Sequence, residues 1–177
     1  MQILIGGASG VAKSTQAMQI CKNNNIVHKI GSGFIREIVR NFISHKTSPA
    51  LHEYSFGTLE KHSEPYQLLK EQSRQLVEPT LRCLVRAKNE GTSIVIEGVN
   101  ILPSLYNDFK TEKKYVLYVE DKKKHWEMIN GDTHKDRTIT RDQFLKVREI
   151  QESFKQDAIK FKWQLVESVK EKISDFI

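Results

Sequence analysis

A short apolar segment followed by a glycine-rich turn constrains the fold of this chain most strongly. The run Gln2–Ile5 predicts a buried strand, and a helical pattern begins at Lys13. The turn between them reads Gly7-Ala8-Ser9-Gly10-Val11-Ala12-Lys13-Ser14, which matches the spacing G-x-x-x-x-G-K-[ST] except at Ala12. Glycines let the backbone form a concave nest of N–H groups, and a helix N-terminus adds a partial positive charge. The sequence therefore predicts a phosphate-binding loop after the first strand.

The residue types in this loop indicate how it holds a nucleotide. A lysine at position 13 reaches the β- and γ-phosphates, and the Ser14 hydroxyl is a ligand for Mg²⁺. Alanine at position 12 is tolerated if the chain has already entered a right-handed helix there, and weakens phosphate binding if that position requires positive φ. We predict an ATP and Mg²⁺ site with Ser14 on the metal. The expected nucleotide-binding residues are Gly7, Ala8, Ser9, Gly10, Val11, Ala12, Lys13, Ser14 and Thr15.

Apolar strands and helical segments alternate along the rest of the chain. Further strands are predicted over residues 26–30, 93–96, 115–119 and 163–166, and a terminal helix over residues 169–176. Strands that alternate with helices form a parallel sheet covered on both faces. The expected fold is α/β: a three-layer αβα sandwich around a five-stranded, mainly parallel sheet.

Composition narrows the class of protein. The 177 residues, with 38% hydrophobic and 28% charged, suit a single domain over residues 1–177 and exclude intrinsic disorder. No apolar run approaches the ~18 residues that span a bilayer, and the first residues lack a signal-peptide pattern. Two cysteines exclude a disulfide framework. We expect a cytoplasmic protein without membrane association, whose net charge of +6 leaves a nucleic acid or a small anionic substrate open as partner.

An acidic residue ends one of the predicted strands. Glu97 follows the apolar run of residues 93–96. Ligands of parallel α/β sheets bind at the carboxyl ends of the strands, so Glu97 is expected to face the phosphate loop. It is predicted to organise the metal or to accept a proton from the attacking hydroxyl.

Two groups of cations are candidates for holding an anionic substrate and the transferring phosphoryl group. Arg36 and Arg40 lie one helical turn apart, where their guanidinium groups can bind phosphate or carboxylate. The polar segment of residues 131–141 is expected to be a short lid, and its catalytic candidates are Arg137 and Arg141, with Lys135 beside them. Arg148, further along, is expected to be a solvated surface charge.

Four stretches of the chain resemble one known family. They are Ile5–Thr15; Ile35–Arg40 with Pro49–His52; Glu90–Asn100 with Leu102-Pro103; and Val147–Gln151. Together they resemble the 2-phosphoglycerate kinases, which are P-loop kinases of the nucleoside-monophosphate-kinase architecture. The resemblance implies the P-loop NTPase fold and transfer of the ATP γ-phosphoryl group to 2-phosphoglycerate. It also implies substrate-binding positions at Ser32, Arg36, Arg40 and Asn100.

The chain departs from this family at two acceptor positions. Gly33 stands where the family usually has aspartate, and Asn100 where it favours histidine. Two other functions therefore remain open. One is a nucleoside, nucleotide or polynucleotide 5′-hydroxyl kinase, although no run of basic residues interleaved with aromatic residues indicates a strand-binding groove. The other is a nucleotide-binding regulatory module without catalysis.

Overall fold

Five parallel strands form the centre of the fold in the computed structural model of the chain, which describes residues 1–57, 64–131 and 138–176. The strands lie in the order β2-β3-β1-β4-β5, so β1 is central and β3 and β4 flank it. This arrangement confirms the α/β sandwich with a parallel sheet. The strands are β1 (Gln2–Gly6), β2 (His28–Gly31), β3 (Ile94–Glu97), β4 (Lys113–Tyr118) and β5 (Gln164–Glu167).

Helices connect the strands and cover the sheet. Within the described ranges, none of them has the length and apolar composition needed to cross a bilayer. They are α1 (Lys13–Asn23), α2 (Ser32–Val39), α3 (Pro49–His52), α4 (Pro65–Arg74), α5 (Val77–Asn89), α6 (Pro103–Tyr106), α7 (Lys122–Ile129) and α8 (Arg141–Lys160).

The strands β1 and β3 are buried along their whole length, as their continuous apolar sequences predict. Both faces of a central parallel strand pack against helices, so the side chains of Ile3, Leu4 and Ile5 have no exposed surface. The register aligns Ile5 with Glu97, and Glu97 with Gly31 on the other side. The carboxyl ends of β1, β2 and β3 therefore meet at one edge of the sheet.

Two predictions about helices have different outcomes. The sequence predicts one long helix from Pro65 to about Lys88 that Pro79 kinks or restarts, and the chain ends one helix at Arg74 and begins another at Val77. The terminal helix over residues 169–176 is wrong, because only a 3₁₀ turn forms, over Ile173–Phe176. Side chains take the backbone donors there: Lys170 N–H donates to the Glu167 carboxylate, and Ile173 N–H donates to the Gln16 side chain.

Candidate functional site

The loop between β1 and α1 adopts positive φ at three positions. Gly7 has φ 139°, Gly10 has φ 78° and Ala12 has φ 61°. Close packing requires the two glycines as well, because a Cβ on Gly7 would lie 2.5 Å from the Leu117 carbonyl oxygen and one on Gly10 would lie 2.7 Å from the Ile129 Cβ. The backbone thus turns sharply around a concave surface, which is the shape of an anion-binding nest.

Ala12 is left-handed, with φ 61° and ψ 24°, and directly precedes α1. Of the two possibilities for this position, a right-handed conformation is therefore wrong. Alanine pays a steric cost for its Cβ in this left-handed conformation, which glycine would not. Ala12 provides no side-chain cap for the N-terminus of α1. The N–H groups of its first turn are consequently available to an anion.

The half-buried Lys13 has its ammonium group inside the loop. Its Nζ donates to the Ala8 carbonyl oxygen at 2.5 Å. Burial lowers the pKa of Lys13 to about 8, and the Glu97 carboxylate opposes this shift. The lysine is therefore mainly charged at neutral pH, and a bound anion would stabilise that charge.

Glu97 reaches the phosphate loop from the neighbouring strand. The Ser14 hydroxyl donates to Glu97 Oε1 at 2.8 Å, and Glu97 has only 6% of its surface exposed. The ammonium group of Lys29, on β2, lies 4.0 Å from the same oxygen. The sequence analysis did not identify Lys29 as a site residue. Its position in β2 could have indicated this, because β2 pairs with β3, and β3 ends at Glu97. An alcohol and a carboxylate side by side are oxygen donors of the kind that Mg²⁺ prefers, so these residues fit that ion.

The residue after Glu97 allows two elements to approach closely. Gly98 has φ 154°, and a Cβ there would lie 1.8 Å from the Ser32 hydroxyl oxygen. Ser32 opens α2 and is almost fully buried. The close contact between Gly98 and Ser32 therefore holds the start of α2 against the end of β3.

Arg36 and Arg40 share one acidic neighbour on α2. Glu37 Oε1 lies 3.5 Å from Arg36 Nη2 and 3.2 Å from Arg40 Nη1. Arg36 Nη1 also donates to the Glu53 carbonyl oxygen at 3.1 Å. The Nε–H of Arg36 is buried, and no residue in the described ranges accepts a hydrogen bond from it. A buried guanidinium donor without a partner suits an anionic ligand.

Asn100 belongs to a buried polar network. Its Nδ2 donates to Gln72 Oε1 at 2.8 Å and to Ser73 Oγ at 3.1 Å, and its amide oxygen lies 3.4 Å from the Ser32 hydroxyl. Gln72, which has no exposed surface, donates to the carbonyl oxygens of Ala50 and Glu53. The network therefore connects the end of β3 to the carbonyl group that also holds Arg36. A substrate contact by Ser32 or Asn100 remains a prediction.

The expected lid lies mainly outside the described residues, and so do Lys135 and Arg137. Arg141 is the first residue of α8 and is exposed. A capping box begins this helix, because the side-chain oxygens of Thr140 and Gln143 each accept a hydrogen bond from the other residue's backbone N–H. Arg141 thus stands at a well-defined helix start directly after the lid segment.

Arg148 is not a solvated charge, which corrects the sequence expectation. Only 18% of its side chain is exposed. It donates to the carbonyl oxygens of Val119 and Glu120 at 2.6 and 3.3 Å, just past the end of β4, and its Nη1 lies 3.4 Å from His125 Nδ1. The helical pattern places Arg148 on α8 but does not reveal that this face packs against the sheet edge.

Comparison with known proteins identifies several relatives of this chain. No family model matches it. A 2-phosphoglycerate kinase from Methanocaldococcus jannaschii is 36% identical over 126 residues, which is 66% of this chain and 40% of that protein. One from Methanopyrus kandleri is 30% identical over 171 residues, which is 88% of this chain and 52% of that protein. The chain is a relative of the 2-phosphoglycerate kinases. It spans about half the length of these curated relatives.

Solved structures agree on the fold of this 2-phosphoglycerate kinase relative. Shikimate kinase from Acinetobacter baumannii in complex with shikimate superposes with a TM-score of 0.51 at 12% identity, covering 94% of this chain and 82% of that one. Deoxyadenosine kinase from M. mycoides with bound dATP superposes with a TM-score of 0.50 at 15% identity, covering 98% and 94%. Both similarities identify the P-loop kinase fold.

Proposed function

We propose that the chain is a single P-loop kinase domain over residues 1–177 that transfers the γ-phosphoryl group of ATP to the hydroxyl of a small anionic compound. The acceptor we favour is 2-phosphoglycerate, with 2,3-bisphosphoglycerate as product. The observation that carries the proposal is the 2.8 Å contact between Ser14 and Glu97, because it brings an acidic strand end to the phosphate loop. The similarity to 2-phosphoglycerate kinases supports the choice of acceptor.

In this proposal the loop holds the nucleotide phosphates through its backbone N–H groups and the α1 N-terminus. The Lys13 ammonium group would exchange its contact with the Ala8 carbonyl for the β- and γ-phosphates. Ser14 and Glu97 would hold Mg²⁺, which when bound neutralises charge on the phosphates. Each of these roles uses an atom that already lies at the carboxyl edge of the sheet.

The acceptor would bind on the α2 side of the same edge. Arg36 carries a buried Nε–H that pairs with none of the residues that the structure describes, and we assign that donor to the anionic group of the acceptor, with Arg40 beside it. The acceptor hydroxyl oxygen would form the new bond to the γ-phosphorus while the bond to the β,γ-bridging oxygen breaks and ADP leaves. The hydroxyl proton would leave with the transferred phosphoryl group, because the Glu97 carboxylate holds the metal in this proposal.

Charge that develops on the transferring phosphoryl group needs cations on the side away from the loop. We propose Arg137 and Arg141 for this role. Arg141 begins α8 and is exposed, so a phosphate at the edge of the sheet would meet a cation at the end of a rigid helix.

The test is a phosphoryl-transfer assay with ATP, Mg²⁺ and 2-phosphoglycerate, with the product identified by ³¹P NMR. We expect acceptor-dependent ADP release by the wild-type protein and a loss of several orders of magnitude in Lys13→Ala, because the positive charge beside the γ-phosphate is removed. The matched control is Lys22→Ala, an exposed lysine on the same helix, which should retain activity.

The same assay separates the other functions. Transfer to a nucleoside or to a 5′-hydroxyl oligonucleotide, but not to 2-phosphoglycerate, would replace the acceptor and keep the kinase reaction. Tight ATP binding by calorimetry with no turnover on any acceptor would contradict the kinase reaction and favour a regulatory module.

A further inference from the structure

A buried histidine on α7 contacts the back of the phosphate loop. His125 has no exposed surface, and its Nε2 lies 2.8 Å from the Ser9 carbonyl oxygen. A loop whose N–H groups face an anion turns carbonyl groups away from it, into the protein, where each needs a donor. His125 supplies that donor for Ser9.

Both neighbours of the imidazole require the same protonation state. The Ser9 carbonyl oxygen only accepts, so Nε2 carries the hydrogen. The Arg148 guanidinium only donates, so Nδ1, 3.4 Å from Arg148 Nη1, carries a lone pair. The imidazole is therefore the neutral Nε2–H tautomer, and a second proton would place its charge against Arg148.

Other observations agree with an imidazole that is neutral at pH 7. Burial lowers the pKa of His125 to about 4, and the charges of Arg148 and Lys13 act in the same direction, against the opposing effect of the hydrogen bond to Ser9. The Phe144 ring packs edge-on against the imidazole with centroids 5.3 Å apart. The ring is thus held by an aromatic neighbour, a carbonyl group and a guanidinium group.

Arg148 extends this contact from the loop to two other elements. It belongs to α8, and it also donates to the carbonyl oxygens of Val119 and Glu120 after β4. The route Ser9–His125–Arg148 therefore connects the phosphate loop to β4 and to the helix that follows the lid segment.

We infer that His125 is a positioning residue that fixes the curvature of the phosphate loop, and that Arg148 keeps it in the Nε2–H form. The inference rests on the proposed function in one respect, that the loop binds ATP. Its consequence is that the affinity for ATP depends on a side chain that does not touch the nucleotide.

The first experiment needs no substitution. We expect ¹⁵N NMR of the wild-type protein at pH 7 to report a neutral Nε2–H imidazole at His125. An Nδ1–H tautomer or an imidazolium would overturn the inference. In Arg148→Met the tautomer preference should weaken, whereas the exposed Arg82→Met control, which loses a guanidinium on α5, should leave it unchanged.

The second experiment compares two substitutions of His125. His125→Gln keeps a donor in place of Nε2, and His125→Phe keeps the ring shape without it. Calorimetry with ATP and Mg²⁺ should give about tenfold weaker binding for His125→Phe and a change below about threefold for His125→Gln. Equal affinity in the folded Phe variant and the wild type would overturn the inference. If the Phe variant does not fold, His125→Met, which also lacks a donor to the Ser9 carbonyl oxygen, takes its place in the comparison.

Hydrogen exchange separates this inference from the proposed function. If the wild-type protein binds no ATP, the proposed function fails, and the contact is still tested by amide exchange over residues 7–14. Exchange should be faster in His125→Phe than in His125→Gln. Equal exchange rates would overturn the inference whatever the nucleotide result.

Discussion

The Ser14 hydroxyl and the Glu97 carboxylate, 83 residues apart in sequence, are joined by a hydrogen bond of 2.8 Å. The contact exists because β3 pairs in parallel with β1, which brings the end of one strand beside the loop that follows the other. It places a carboxylate beside the phosphate loop, and the proposed function assigns the metal to this position. The following predictions test what the two residues and their neighbours do.

Glu97→Gln should lower turnover by at least about a hundredfold with little change in fold, because the amide keeps the shape and loses the charge. Steady-state kinetics at several Mg²⁺ concentrations would measure the loss and show whether the Mg²⁺ requirement rises. Glu90→Gln is the control, since Glu90 is an exposed glutamate paired with Arg86. Turnover equal to that of the wild-type protein in Glu97→Gln would show that the Glu97 carboxylate has no role in the reaction.

The affinity for ATP should fall as pH rises through about 8, where Lys13 loses its proton. Only the ammonium form attracts phosphate, so one pH unit above this pKa the apparent affinity should be about tenfold weaker. Bound phosphate raises the pKa of Lys13, and binding near pH 9 should therefore take up protons. Calorimetry in two buffers of different ionisation enthalpy measures this uptake. Lys13→Met should abolish it, and uptake that persists would assign it to another group.

Ala12→Gly should stabilise the free protein by about 1 kcal/mol, because glycine removes the cost of left-handed backbone that an alanine Cβ carries. Urea denaturation monitored by circular dichroism measures the change. Ala17→Gly provides the opposite case, inside the helix that follows Ala12. Ala17 is buried in the middle of α1, so glycine there should destabilise by about 1 kcal/mol or more. A destabilised Ala12→Gly would contradict the left-handed conformation.

These positions also show how far the sequence predicts the site. Glu97 could be placed at the loop because an apolar strand run ends there and parallel strands share one edge. The backbone conformation of Ala12 could not be predicted, since the right-handed and the left-handed conformations both fit the same motif spacing. The contacts of His125 and Arg148 could not be predicted from the sequence for a different reason. Their partner Ser9 lies 116 residues from His125, and helical periodicity does not say which neighbour a helix face meets.

Gln72→Leu should affect the acceptor and spare the nucleotide. The substitution removes the donors to the carbonyl groups of Ala50 and Glu53, and the second of these also holds Arg36. We expect the KM for 2-phosphoglycerate to rise about tenfold with unchanged ATP affinity, and stability to fall by about 2 kcal/mol. Gln67→Leu, at an exposed position on the same helix, is the control. A tenfold loss of ATP affinity as well would indicate that the substitution loosens the whole fold and not only the acceptor site.

Gly33→Asp tests the acceptor most directly. A Cβ at Gly33 meets no atom of the described part of the chain within 4 Å, so the exposed first turn of α2 accepts a side chain without rearrangement there. The carboxylate is also compatible with the positive end of the helix, and stability should change by less than about 1 kcal/mol. Because aspartate at this position suits orientation of the acceptor hydroxyl, we expect kcat with 2-phosphoglycerate to rise about tenfold with no change in ATP affinity. Gly33→Asn introduces a side chain of nearly the same size as aspartate without its charge, and so separates the effect of the carboxylate charge from that of side-chain size. A loss of activity in both variants would indicate that the acceptor packs against glycine, and would favour a compound bulkier than 2-phosphoglycerate as the acceptor.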